Sequence, residues 1–115
     1  AEGERGNELY RHAARITMNR TIAGGHYPTD SMAGAVLGTS LAEALVKLLD
    51  GSTETVTRSF KGDTYKGDFN LSLLSSSMKD DAVVATGTAT LDGDRVPAWL
   101  RALWDATRAE WSAAT

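Results

Sequence analysis

The hydrophobic positions fall into stretches of helical spacing at the two ends of the chain and a shorter alternating pattern between them. Leu9, Ala13 and Ile16 stand four and three residues apart, the repeat of one helix face. Asn7 is the expected N-cap of this first helix, and Gly24-Gly25 its stop, because glycine enters the left-handed conformation that ends helices. Residues 1–6 read as a frayed polar lead-in. A second helix is expected from Thr29 or Asp30, either of which can cap it, to about Leu49, before Asp50-Gly51. Met32, Val36, Leu41, Leu45 and Leu49 read as its apolar stripe. Gly34, Gly38 and Ala42 form a second stripe of small residues, which predicts close approach of a neighbouring helix.

The middle of the chain carries a weaker pattern. Residues 51–81 are rich in Ser, Thr, Gly and Asp, with a short near-repeat of Lys61-Gly62-Asp63 and Lys66-Gly67-Asp68 that reads as solvated turns. Thr53 to Phe60 and Val83 to Leu91 read as strands, the second ended by Asp92-Gly93; Asp68 to Leu74 fits a strand or a helical turn. Pro97 opens a last helix, to about Ala113, with Leu100, Leu103, Trp104 and Trp111 on one face, expected to dock on the core. The fold class that follows is mainly α. It is a helical-bundle fragment of two helices joined at a corner plus a C-terminal helix, with room for a small β-hairpin between. The divisions are 7–50, 51–96 and 97–113 within one unit.

Composition narrows the function classes. The chain has 115 residues, 42% hydrophobic, which is ordinary for a packed domain. A net charge of −3 with scattered Lys and Arg gives no basic stripe for nucleic acid. Without cysteine there is no disulfide, thiolate metal site or Cys nucleophile. The uncharged run from Ser31 to Ala42 falls short of the ~20 residues a bilayer span needs, so no membrane span is expected. The opening Ala-Glu-Gly-Glu-Arg-Gly has neither Met nor a signal pattern, so a processed chain is expected; compartment is left open.

One cluster carries chemistry. Arg20, His26 and Asp30 are placed by the predicted elements at the end of one helix, in the connecting turn and at the start of the next. Arginine offers a planar fork of donors matched to phosphate-like oxygens. A neutral imidazole can attack phosphorus or bind a metal-oxo centre through one nitrogen, while a carboxylate on the other fixes the tautomer. The start of the second helix adds a positive dipole end. Each residue alone has an ordinary structural reading, as surface arginine, turn histidine or helix cap; the spacing of the three together is what stands out.

Arg20-x5-His26-x3-Asp30 resembles the third signature of the superfamily joining type-2 phosphatidic acid phosphatases to vanadium-dependent haloperoxidases. The likeness extends through Gly25-His26-Tyr27-Pro28-Thr29-Asp30, Ala33-Gly34 and Leu37-Gly38, and covers about residues 9–49. Asn19 stands where many members have Ser, although soluble bacterial acid phosphatases of this group often have Asn. The resemblance implies a mostly helical bundle. It also implies that His26 is a nucleophile forming phosphohistidine, or the ligand of vanadate, which is the one sense in which His26 is a metal ligand. Arg20 would bind phosphoryl or vanadate oxygens and Asp30 would orient the histidine. A phosphatase would need no cofactor; a haloperoxidase would need vanadate.

The family's other two segments, Lys-x6-Arg-Pro and Pro-Ser-Gly-His, are absent: Pro28 and Pro97 follow Tyr27 and Val96, and the second histidine, His12, follows Arg11. The expectation is therefore a C-terminal part of an acid-phosphatase-like hydrolase acting on a phosphate-containing small molecule. Another chain or a missing N-terminal half would complete it, in an oligomer, and the chain alone would be inactive. A vanadium haloperoxidase is the close alternative, and a non-catalytic helical interaction module the alternative of another class.

Overall fold

A computed structural model describes residues 2–114, with side chains from residue 6 onward. The element order is α1 (Glu2–Ile22), α2 (Pro28–Leu49), β1 (Glu54–Phe60), α3 (Leu71–Ser77), β2 (Val84–Thr90), a 3-10 turn (Gly93–Arg95) and α4 (Ala98–Ala114). The chain is mainly α with a two-stranded antiparallel sheet. Helix α1 begins five residues before Asn7, so Asn7 lies inside it and residues 2–6 are helix rather than lead-in. No proline interrupts 2–7, and propagation of a started helix is favourable.

The corner between α1 and α2 follows from local chemistry. Gly24 has φ 81°. Its N–H donates to the Thr21 carbonyl at 3.0 Å, and that of Gly25 to the Arg20 carbonyl at 2.9 Å, the paired bonds of a Schellman ending. Gly51, φ 85°, ends α2 in the same way, with Gly51 and Ser52 N–H groups on the Leu48 and Lys47 carbonyls. Helix α2 starts two or three residues earlier than Thr29 or Asp30 as its cap would set it. Tyr27 is its N-cap, Pro28 takes the first turn, and the Asp30 carboxylate reaches back to the Tyr27 N–H.

The core gathers Ala14 of α1, Met32 of α2, and Tyr65 and Phe69 of the β1–α3 connection, with Phe60, Leu73, Leu74 and Val83 packed around them. Met32 and Val84 are fully buried. The Phe60 and Tyr65 rings lie 6.1 Å apart at 58°, a tilted aromatic pair. Glu54 to Phe60 pairs with Thr90 to Val84 in register, but 23 residues and α3 separate the strands, so they are no tight hairpin. The Lys61–Asp68 stretch holds one turn, over residues 62–64, and a bend at Gly67, and the Thr64 hydroxyl lies 2.8 Å from the carbonyls of Lys61 and Ala82.

Four packing expectations are corrected. On α1 the inward residue is Ala14, while Leu9 and Ile16 face outward. On α2, Met32, Val36 and Leu49 are buried but Leu41 and Leu45 are exposed. The cause is the five-residue step from Val36 to Leu41, which turns about 140° at ~100° per residue and crosses to the opposite face. In the Gly34/Gly38/Ala42 stripe, no atom lies within 4 Å of a Cβ built at Gly34 or Gly38, so no helix of the described residues packs closely against it: Gly34 faces the open gap toward α1, and Gly38 and Ala42 are exposed. Helix α4 docks through polar groups: Trp104 Nε1 and Arg108 Nη1 donate to Asp50 Oδ1 at 3.2 and 2.7 Å, and Arg101 to the Leu49 carbonyl at 3.2 Å. Cationic side chains at the end of α2 complement its dipole, and no residue of α4 is buried.

The second half of helix α2 turns its charged side chains toward β1. Arg58 of β1 donates to Glu43 at 2.8 Å and to the Ser40 hydroxyl at 3.2 Å, and Lys47 pairs with Glu43 at 3.4 Å. Glu43 and Lys47 thus face the strand side, while Leu37, Leu41 and Leu45 are exposed. At 22 residues α2 is long and apolar enough to cross a bilayer by length and composition, a test that core helices of soluble proteins also pass.

Candidate functional site

Arg20, in the last turn of α1, is held in place by the Schellman ending that uses its own carbonyl. His26 follows the two glycines, and Asp30 sits in the first turn of α2. Arg20 Nη2 lies 2.9 Å from His26 Nε2. A guanidinium has only donors, so this contact is a hydrogen bond only with Nε2 as the acceptor, which requires the ring proton on Nδ1. Asp30 Oδ2 accepts from the Tyr27 N–H at 3.2 Å. No hydrogen bond joins Asp30 to His26 among the described side chains; the carboxylate serves the helix start, and its other oxygen keeps lone pairs for a further donor.

All three side chains line one cleft of about 390 Å³ between α1 and α2. Tyr10, Ala13 and Thr17 continue the Arg20 wall, Ser31, Gly34 and Thr39 the Asp30 wall, and Phe69, Leu71 and Leu74 close the apolar end. The volume falls within the ~300–1,000 Å³ usual for small-molecule clefts. No protein-family model, curated protein or solved structure matches this chain.

What the cleft can do rests on its own groups. The guanidinium and imidazole form a polar mouth on an otherwise small-residue and apolar groove. The absence of a Cβ at Gly34 widens the groove, and that is the use the structure makes of this glycine. Among the described residues no three His, Asp or Glu side chains gather as a group that could hold a metal ion. Arg20, His26 and Asp30 are all exposed, so the mouth is open to solvent.

Sequence reasoning did not find Tyr10, Thr17 or Ser31. The signal for the first two was present: they stand ten and three residues before Arg20, near one stripe of a helix whose buried residue is Ala14. Phe69, Leu71 and Leu74 had no such signal, because they reach the cleft only through the path of the β1–α3 connection.

Proposed function

We propose that this chain carries the nucleophile and part of the oxyanion site of an acid-phosphatase-like hydrolase acting on phosphate monoesters. The observation that carries the reading is the 2.9 Å contact between Arg20 Nη2 and His26 Nε2 at the mouth of a cleft also lined by Asp30. A phosphoryl oxygen, being anionic, is a stronger acceptor for the guanidinium than a neutral imidazole. It would draw Arg20 off Nε2 and leave that lone pair directed at phosphorus. The Nε2–P bond then forms as the ester P–O bond breaks. The leaving oxygen takes a proton from an acid supplied by another chain or a further segment, and water cleaves the phosphohistidine to inorganic phosphate. Asp30 stabilises the positive ring that phosphorylation creates.

Losing a general acid costs ~10²–10⁴ in rate, and losing one oxyanion donor ~10²–10³, so the chain by itself is expected to turn over esters poorly. p-Nitrophenyl phosphate needs no proton on its leaving group and tests the nucleophile separately. Labelled aryl phosphate should leave acid-labile label on His26, and none in His26→Ala. Label on another residue, or no label from the completed assembly, would overturn the reading. Turnover of halide and peroxide with vanadate, without label from the ester, would favour the haloperoxidase alternative. A helical interaction module, supported by the exposed Leu37, Leu41 and Trp99, gives neither activity.

A further inference from the structure

We infer that Arg20 is the positioning residue that fixes the tautomer of His26, holding the proton on Nδ1, and that Asp30 is not. The significance for catalysis rests on the phosphatase reading; the assignment itself rests on geometry. Arg20 Nη2 lies 2.9 Å from Nε2, and arginine has no atom that can accept, so this contact is a hydrogen bond only when Nε2 bears no proton. The carboxylate expected to select the tautomer from the other side has Oδ2 on the Tyr27 N–H at 3.2 Å, and no hydrogen bond joins either of its oxygens to the ring among the described side chains. Arg20 is in turn located by the backbone, because the Gly25 N–H binds its carbonyl at 2.9 Å and so ties the helix end to the residue before His26. The nitrogen thereby kept unprotonated is the one at the Arg20 side of the cleft, where a phosphoryl group bound by the guanidinium would lie.

Ring-nitrogen NMR of the whole chain, labelled with 15N-histidine, reads this directly in phosphate-free, mildly alkaline buffer where imidazole is neutral. The pyridine-type resonance of His26 should belong to Nε2. In Arg20→Ala it should move to Nδ1, and Arg20→Lys, which keeps a donor, should restore it in part. Asp30→Asn should leave it on Nε2, and His12 should not respond to any of these changes. Arg20 is exposed, so its substitution leaves the core intact, which far-ultraviolet circular dichroism checks. A wild-type pyridine-type signal on Nδ1, no movement in Arg20→Ala, or an equal movement in Asp30→Asn would each overturn the inference. The predicted tautomer without phosphohistidine trapping in the completed assembly would sink the phosphatase reading and leave this one standing. Trapping with the other tautomer would do the reverse.

Discussion

At the residue scale, two left-handed glycines do the same backbone job with different consequences. Gly24 and Gly51 each end a helix at φ above 80°, and neither has an atom near the position a Cβ would take. Alanine at either position should therefore cost about 1–2 kcal/mol through backbone strain alone, without a steric clash. Only Gly24 lies between Arg20 and His26. Gly24→Ala is expected to lower the urea midpoint about as much as Gly51→Ala while also weakening the Arg20–His26 contact, seen as a change in the His26 ring signals. Equal loss of stability with unchanged His26 signals in both variants would show that the corner is held by something other than its Schellman ending.

At the element scale, the tie between α2 and β1 is electrostatic as well as apolar. The hydrogen bond from Arg58 holds the Glu43 carboxyl below its ordinary value of 4.5, outweighing the opposing effect of burial, with Arg58's charge and Lys47 adding to it. A carboxyl depressed in the folded state contributes stability that is complete above its unfolded value and is lost as pH falls through the folded one. Arg58→Met should thus be less stable than wild type at neutral pH, by about 1 kcal/mol or less because Glu43 is partly solvated. The gap should close in acid below 4.5. Urea denaturation across that range checks it, and a gap that persists unchanged in acid would assign Arg58's contribution to packing.

At the scale of the whole molecule, the outer face of α2 stands out. Leu37, Leu41 and Leu45 are 60%, 61% and 48% exposed beside a stripe of small residues, while the helix's ion pairs face the strand. A face of this kind is usually covered by another surface. The purified chain is expected to associate in a concentration-dependent way, and Leu41→Glu to shift sedimentation toward the monomer without loss of helix content. A monodisperse wild-type monomer at high concentration would refute that expectation. Met32→Ala, on the buried side of the same helix, should instead lower stability by about 2–5 kcal/mol and leave association alone.

The same contrast separates what was legible in the sequence from what was not. The helix ends at Gly24-Gly25 and Gly51, the strands from Glu54 and to Thr90, and the corner that gathers Arg20, His26 and Asp30 are local events. They depend on glycine's freedom at positive φ, proline's fixed φ and alternation over a few residues, so neighbouring residues suffice to specify them. The inward face of each helix is not local. Met32 and Leu41 are equally apolar in the sequence, and only the position of β1 and Phe69 decides that the first is core and the second surface. Asp30 likewise carried two readings, helix cap and histidine partner, and the structure places one of its oxygens, Oδ2, on the Tyr27 N–H at the helix start. Sequence by itself determined most of the elements and the corner that brings Arg20, His26 and Asp30 together; tertiary structure decided which faces are buried, which further residues line the cleft and which atom each polar group serves, because those depend on what the rest of the chain brings alongside.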